Sequence, residues 1–379
     1  MRGRSQEAST PPGATIEFER VEKSYGQVQA LADFSLTVEA GEFLTILGAS
    51  GSGKTTVLNA LAGFAPADSG DIRIDGRSIV REPPEKRNLG MVFQNYSLFP
   101  HMSVADNVAF PLRMRHVPRH EIVGKVARTL EIVRLTGLGA RMPRELSGGQ
   151  QQRVAFARAI VFDPPVLLMD EPLGALDLKL REALQFEIKE IQHKLGCTVV
   201  YVTHDQREAL AMSSRIVVLR NGRIEQVGTP FEMYDQPKTH FVAAFIGQTN
   251  LFPVSRSVDG SIDIPALQVA LPRQISSLGT AQLFASIRPE KLQRRALEND
   301  DVAFDVIVQE AIFFGDVIEF SARHPSGTLV YFREQRLGDG AIPNRGEFAR
   351  LALRPQDIVL VPLTETTNTT TNTEDSLDG

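Results

Sequence analysis

The stretch Gly-Ala-Ser-Gly-Ser-Gly-Lys-Thr at residues 48–55 decides the fold of this chain. It follows an apolar, strand-like run at 43–47 and precedes a helix-like run at 56–62. A strand, a glycine-rich loop and a helix in this order predict a phosphate-binding loop. Glycine lets the backbone turn successive N–H groups towards a polyphosphate, and the positive end of the following helix adds to the attraction.

Each polar residue of this loop has a predicted role. Lys54 is expected to reach the β- and γ-phosphates of a nucleotide, and the hydroxyl of Thr55 is expected to bind Mg²⁺. An incidental glycine-rich turn is the alternative, and the agreement of both flanks disfavours it. The nucleotide-binding residues predicted from this stretch are Gly48, Ala49, Ser50, Gly51, Ser52, Gly53, Lys54, Thr55 and Thr56.

Composition narrows the class of protein. A chain of 379 residues predicts two domains, and a formal charge of −5 gives no electrostatic argument for binding nucleic acid. The single cysteine, Cys197, excludes an internal disulfide, and its place beside a strand-like run predicts a buried thiol. No run approaches the roughly 20 apolar residues of a membrane helix, and no secretory signal is apparent, so we expect a cytosolic chain.

The chain divides into two regions with different patterns of apolar residues. Residues 15–241 alternate strand-like and helix-like runs, which predicts an α/β domain with a largely parallel sheet. Residues 242–363 carry glycine-punctuated alternating runs, which predict a smaller all-β domain of OB-like barrel type. The polar segments 1–14 and 364–379 are predicted to be disordered.

A second motif completes a nucleotide site. Residues 166–172 read Val-Leu-Leu-Met-Asp-Glu-Pro, an apolar strand that ends in two acids. Asp170 is expected to hold Mg²⁺ through water, and Glu171 is expected to polarise an attacking water. Two solvated carboxylates at a sheet edge are the alternative, which the upstream phosphate loop disfavours.

A third motif, Leu-Ser-Gly-Gly-Gln at 146–150, opens a helix. A helix N-terminus with two glycines and the hydroxyl of Ser147 predicts a second anion site. One nucleotide does not need two such sites in one chain. The simplest interpretation is that this one grips the γ-phosphate of ATP held by another subunit; standing alone, the motif would indicate an ordinary capped helix.

These residues resemble the signature of an ATP-binding-cassette (ABC) ATPase, a P-loop domain with a helical subdomain, over about 15–241. The resemblance implies ATP and Mg²⁺ as cofactors and a homodimer that shares its nucleotides. It implies that Glu171 and His204 are catalytic, and that Thr55, Gln94 and Asp170 hold the metal. It also implies nucleotide contacts beyond the loop by Tyr25, which stacks on adenine, Gln94, Ser147, Gly148, Gly149, Gln150 and Asp177, which lies in the dimer-contact loop.

One departure from the family pattern is visible. The dimer-contact loop starts with Gly174, where relatives often have serine. The assignment of Asp177 survives this change, but the hydrogen bonds across the dimer do not carry over.

The segment 95–102, which follows Gln94, is rich in aromatic and apolar residues. It is either an inward-packed loop or part of a surface groove that receives a short helix from a membrane partner.

The second domain also resembles a known pattern. Residues 245–250 (Phe-Ile-Gly-Gln-Thr-Asn) and 287–291 (Ile-Arg-Pro-Glu-Lys) resemble the junction and the transport-associated (TOBE-like) barrel of ATPase subunits in bacterial importers. The junction is most similar to the spermidine/putrescine group, although ferric-iron, sulfate, sugar and glycerol-phosphate importers share the plan. The resemblance implies two transmembrane permease subunits, indirectly a solute-binding protein, and a place on the cytoplasmic face of the inner membrane.

Two other classes of function are possible from the sequence. A soluble ABC protein acting on ribosomes or DNA usually has two cassettes or a long coiled coil, and this chain has one cassette, no heptad run and no basic patch. A regulatory module that binds ATP without hydrolysing it would not need Glu171 and His204.

Overall fold

A computed structural model describes residues 13–174, 178–256, 261–271, 282–294, 301–336 and 342–363. The two predicted disordered segments lie, apart from residues 13 and 14, outside these ranges. The chain forms two compact units that divide between Met233 and Tyr234. This division falls earlier than the predicted domain start at residue 242.

The first unit alternates strands and helices. Its elements are β1 Ile16–Tyr25, β2 Val28–Val38, β3 Phe43–Gly48, α1 Lys54–Ala62, β4 Ser69–Ile74, β5 Arg77–Ser78, β6 Leu89–Val92, α2 Val104–Met114, α3 Arg119–Ile132, α4 Gly148–Ile160, β7 Val166–Asp170, α5 Leu178–Leu195, β8 Thr198–Thr203, α6 Gln206–Met212, β9 Arg215–Arg220, β10 Arg223–Gly228 and α7 Pro230–Asp235, in which the unit boundary falls.

A six-stranded sheet of order β10-β9-β3-β8-β7-β6 forms the centre of this unit. All its neighbouring pairs are parallel except β9 and β10. The largely parallel sheet expected from the sequence is therefore confirmed. Because parallel strands end at the same edge, the residues that follow β3, β6, β7 and β8 are brought together there.

Alternate residues of the central strands enter two separate cores. Leu167 and Met169 of β7 pack with α2 to α5, whereas Val166 and Leu168 pack with α1 and the strands of a second sheet. Since successive side chains of a strand point to opposite faces, the parallel sheet is covered on both sides. Its fully apolar strands follow from this double burial. Cys197 belongs to the first core, and burial raises the pKa of its thiol to about 11, as expected for an inert cysteine.

The second sheet of this unit was not expected from the sequence. It is antiparallel and has the order β2-β1-β4-β5. Irregular register between Phe18 and Ser24 breaks the alternation of buried and exposed side chains in β1, which hides the second half of this long strand in the sequence.

The second unit is almost entirely β-structure, which confirms the predicted all-β fold. It contains α8 His240–Phe245, β11 Asn250–Pro253, β12 Ser255–Arg256, β13 Ile262–Ile264, β14 Val269–Leu271, β15 Leu283–Ile287, β16 Val302–Phe313, β17 Val317–Arg323, β18 Leu329–Gln335, β19 Phe348–Leu353 and β20 Ile358–Pro362. These strands form antiparallel sheets of order β11-β15-β20, β12-β13-β14 and β18-β17-β16-β19 around one apolar core.

Arg288 fixes the start of this unit. Its guanidinium donates to the carbonyls of Tyr234, Ala243 and Ile246, the last at 2.6 Å, and lies 4.0 Å from the ring of Tyr234. One buried arginine thus caps the ends of two short helices, α7 and α8.

Candidate active site

The phosphate loop follows β3 in the conformation that its glycines allow. Gly51 and Gly53 have φ of 76° and 104°, values that favour glycine. A Cβ on Gly48 would lie 2.6 Å from the carbonyl oxygen of Leu219, so this glycine is needed for a close approach of two strands. Gly53 is the N-cap of α1 and makes no side-chain cap, which leaves the first amides of the helix open to a ligand.

Lys54 closes the loop on itself. Its ammonium donates to the carbonyl oxygens of Gly48 and Ala49, both at 2.9 Å, and the side chain is buried. Burial lowers the pKa of Lys54, and the nearby charges of Glu171 and Asp170 oppose that shift. The loop, the lysine and the two acids predicted from separate motifs therefore form one site.

Asp170 carries the other half of this site. Burial, followed by repulsion from Glu171, raises the pKa of its carboxyl, while Lys54 and a hydrogen bond from Thr55 lower it. A half-buried carboxylate beside a second acid and a hydroxyl offers hard oxygen ligands with excess negative charge. These residues fit Mg²⁺, which takes few protein ligands when a phosphate supplies the others. Among the described residues no group of three or more His, Cys, Asp or Glu side chains could hold a metal alone.

Glu171 is the meeting point of three motifs. It has φ of 43°, and its N–H donates to the carbonyl of Val202 at 2.9 Å, which anchors it to β8. Its Oε2 accepts from Nε2 of Gln94 at 3.2 Å and lies 3.1 Å from Nδ1 of His204. The ends of β6, β7 and β8 thus place the three predicted side chains around one carboxylate oxygen.

The signature motif forms a capped helix start. Ser147 is the N-cap of α4, and its hydroxyl accepts from the N–H of Gln150 at 3.4 Å while Oε1 of Gln150 accepts from the N–H of Ser147 at 3.0 Å. A Cβ on Gly149 would lie 2.8 Å from Cδ2 of Leu180, so α5 packs directly on this glycine. The structure thus shows a capping box, and its hydroxyl proton stays available for a ligand.

The segment after Gln94 is packed inward over part of its length and lines a groove over the rest. Tyr96 and Leu98 pack against the core, whereas Phe99 lines a groove on the surface of the first unit. The groove is mainly apolar and aromatic. It is lined by Phe64, Pro84, Glu85, Leu89, Met91, Phe93, Ser97, Phe99, Phe110, Pro111, Met114, Arg115, Arg158, Ala159 and Phe162.

Two polar side chains that were not predicted from the sequence hold this segment in place. Arg158 of α4 donates to the carbonyls of Tyr96 and Ser97 at 2.8 and 2.7 Å. Asn107 of α2 donates to the carbonyl of Phe99 at 3.1 Å and accepts from its N–H at 2.8 Å. Neither position has a signal in a single sequence, because an arginine or asparagine inside a helix is usually solvated.

The remaining predicted residues are placed as follows. Tyr25 ends β1 with its ring half-exposed, and the ammonium of Lys23 lies 5.5 Å from the ring centre. Gly174 is described, but Asp177 lies outside the described residues. Thr56 lies in the first turn of α1.

Two families match the two units. The ABC transporter family matches residues 31–174, and the TOBE domain family matches residues 285–361. The spermidine/putrescine import ATP-binding protein PotA of Thermobifida fusca is 44% identical over 362 residues, which are 92% of this chain and 93% of the relative. The spermidine/putrescine import ATP-binding protein PotA 2 of Pseudomonas aeruginosa is 45% identical over 347 residues, which are 89% of this chain and 94% of the relative.

The chain belongs to the ATP-binding proteins of ABC transporters. It is an ATP hydrolase of the ABC family with a C-terminal TOBE domain, as the sequence predicted.

Solved structures agree with the assignment of this ABC ATPase. The dimeric structure of MJ0796, a bacterial ABC transporter cassette, is 33% identical with a TM-score of 0.52, and covers 57% of this chain and 98% of its own. A dimeric post-hydrolysis state of the same cassette, bound to ADP and Pi, is 32% identical with a TM-score of 0.51, and covers the same shares of the two chains. Within the described residues, none of the helices is both long and apolar enough to cross a bilayer.

Proposed function

We propose that this ABC ATPase powers the import of polyamines such as spermidine and putrescine. The observation that carries the proposal is the similarity to polyamine-import ATP-binding proteins, which extends over about nine-tenths of both chains and includes both units. A cassette-only resemblance would support ATP hydrolysis but not the kind of transporter.

The phosphate loop binds the triphosphate in this proposal. Lys54 and the open amides of α1 contact the β- and γ-phosphates, since both are positive and face the same loop. Thr55, Asp170 and Gln94 would hold Mg²⁺, which would supply positive charge that offsets the phosphates when bound. The side chain of Tyr25, half-exposed, stacks on the adenine.

Glu171 accepts a proton from the attacking water. Its Oε2 is held by Gln94 and His204, which leaves Oε1 for the water. His204 is 64% exposed, so its ring can contact the γ-phosphate from the side opposite Glu171. No covalent intermediate is needed, because positioning and charge stabilisation carry the rate.

A second copy of the chain completes the site. Ser147, Gly148, Gly149 and Gln150 of one copy grip the γ-phosphate bound by the other. Asp177 contacts the partner near the same nucleotide. The dimeric cassettes among the similar solved structures support this arrangement.

The aromatic groove that contains Phe99 receives a short helix from one permease subunit in each copy of the chain. Its apolar lining suits the apolar face of an amphipathic helix, and Gln94 joins the groove to the nucleotide site. The ABC ATPase then lies on the cytoplasmic face of the membrane, with a solute-binding protein on the other side and no part for nucleic acid.

An ATPase assay of the reconstituted transporter tests which solute is imported. In liposomes, the purified transporter containing this chain should hydrolyse ATP faster when its binding protein is loaded with spermidine or putrescine. Stimulation by ferric iron, sulfate, a sugar or glycerol phosphate in place of a polyamine would contradict the substrate.

A substitution tests the chemistry. Glu171→Gln keeps the shape of the side chain and its contacts but removes the base, so the variant should bind ATP normally and hydrolyse it at least about a hundredfold more slowly. Turnover at the wild-type rate would overturn the role of Glu171.

A further inference from the structure

His204 is held by a polar network that the predicted site does not include. Thr203, the residue before it, donates its hydroxyl proton to Oε2 of Glu208 at 2.7 Å and accepts from the N–H of Asp205 at 3.0 Å. Tyr201 donates to the same oxygen of Glu208 at 2.6 Å. The Thr203 hydroxyl therefore binds both Glu208 and the backbone N–H of Asp205, and His204 lies between the two residues that this second bond joins.

The sequence of this segment predicts a simpler arrangement. Asp205 with Glu208 three positions later is the pattern of a capping box, in which the glutamate reaches back to the N-cap amide. In the structure the Thr203 hydroxyl lies between the N–H of Asp205 and the carboxylate of Glu208. Thr203, the residue before His204, is therefore part of the cap of α6. Asp205 itself caps the helix, because its Oδ1 accepts from the N–H groups of Arg207 and Glu208 at 2.8 and 3.3 Å.

Arg181 connects this network to α5. Its Nη1 donates to Oδ2 of Asp205 at 3.0 Å, and its Nε lies 3.8 Å from Oε1 of Glu208. Glu208 is 2% exposed, so its charge is largely desolvated and needs a nearby cation. In the first described turn of the same helix, Leu180 packs against Gly149 of the signature motif.

We propose that Arg181 is a positioning residue for hydrolysis: with Asp205 and Glu208 it fixes the loop that presents His204 to Glu171 and the nucleotide. The proposal rests on the catalytic roles proposed above. It adds that the start of α5 sets the position of His204, and that α5 touches the signature glycine through Leu180. A shift of α5 is thereby passed to the histidine.

The physical reason is the pairing of charges behind the loop. Without Arg181, Asp205 and Glu208 remain close together, and the buried Glu208 loses the cation described beside it. Movement of Thr203 or α6 relieves this repulsion, and either movement displaces His204 from its 3.1 Å contact with Glu171. Phosphate binding by the loop after β3 does not depend on these contacts.

Arg181→Met tests the proposal in the purified full-length chain. The turnover number for ATP hydrolysis should fall by about ten- to a hundredfold, because small displacements of a positioned group have costs of this size. The dissociation constant for ATP, measured with a fluorescent analogue, should change less than about twofold, since binding precedes the step in which His204 acts.

A matched control is available at the opposite edge of the sheet. Arg215, at the start of β9, pairs with the buried Glu42 at 3.2 Å. Arg215→Met therefore breaks an ion pair of similar burial away from the strand ends that carry the site. It should lower thermal stability while leaving turnover of the folded protein at the wild-type value.

A second variant separates positioning from general damage. Glu208→Gln removes the buried charge that Arg181 compensates, so Arg181→Met and Glu208→Gln together should lose less activity than the two single losses combined. Multiplying losses would overturn the proposal, as would wild-type turnover in Arg181→Met or an equal loss in Arg215→Met.

The proposed function is judged by a separate comparison. Wild-type turnover in Glu171→Gln would overturn the catalytic roles on which the inference rests. An inactive Glu171→Gln together with a fully active Arg181→Met would leave those roles in place and reject the network alone.

Discussion

Two helices of the cassette, α1 and α4, begin with glycine-rich motifs, but their N-termini are capped differently. At α1 the N-cap is Gly53, no side chain caps the helix, and Lys54 lies directly in the loop. At α4 the N-cap is Ser147, whose hydroxyl and backbone amide are both bonded to Gln150. One helix start is open within its own chain, and the other is largely satisfied.

The difference fits the separate roles proposed above for the two motifs. An open helix end beside a lysine needs an anion, so α1 can hold the phosphates of ATP without any other chain. A helix start closed by its own side chains has little affinity alone. It contributes only when an already bound phosphate is brought to it, which is what a dimer with shared nucleotides requires.

The largest expected effect is at α1. Lys54→Ala removes the only lysine of the loop, and ATP binding and hydrolysis should both fall about a hundredfold or more, because a charge aimed at the phosphates is lost. Equilibrium binding of labelled ATP measures this directly. Lys194→Ala, which breaks an exposed pair with Glu190 on α5, is the control and should bind ATP normally. Normal binding by Lys54→Ala would mean that the open end of α1 is not the phosphate site.

The next effect concerns the acid that faces α1. Burial raises the pKa of Asp170, so the folded chain keeps this proton to a higher pH than the unfolded chain does. Stability of the nucleotide-free protein should therefore fall as pH rises from the ordinary carboxyl pKa through the raised one.

Asp170→Asn removes that charge. The variant should melt at a higher temperature than the wild type at neutral pH without nucleotide, yet show little Mg²⁺-dependent hydrolysis. Asp163→Asn, at an exposed acid that lies 3.5 Å from Lys125, should change neither property. A lower melting temperature for Asp170→Asn would contradict the idea that the ionised Asp170 carboxylate destabilises the protein when no cation is bound.

A smaller effect is expected at α4. Gly149→Ala places a Cβ against Leu180 and should slow hydrolysis about tenfold by shifting the start of α5 or α4, with ATP binding unchanged. The additional change Leu180→Ala makes room and should restore much of the rate. A double variant as slow as the single one would show that Gly149 serves the nucleotide directly and not the packing of two helices.

The sequence predicted which polar residues lie together better than it predicted the fold around them. Lys54, Glu171 and His204 each follow a strand whose apolar residues are all buried, and apolar strands of this kind are easily recognised in a sequence because both sheet faces are covered. Since their order along the chain and the parallel sheet place the strand ends at one edge, the motifs alone were enough to assemble the site.

The parts that the sequence did not predict depend on long-range contacts. The antiparallel sheet was missed because β1 changes register within a strand of ten residues. The helix α2 was missed because Pro111 lies inside it. Arg181 gave no signal, because an arginine near the start of a helix is normally solvated and only the fold brings it to Glu208.

The smallest expected effect separates capping from ligand binding at α4. Ser147→Ala removes the cap and should lower the free energy of unfolding by about 1 kcal/mol, measured by urea denaturation. Ser147→Asn keeps a capping acceptor and should stay near wild-type stability. Both variants lose the hydroxyl donor, so both should hydrolyse ATP more slowly at saturating nucleotide. If Ser147→Ala is as active as the wild type at saturating nucleotide, the serine serves only its own helix, and α4 would then differ from α1 in structure but contribute nothing from its side chain to the shared nucleotide.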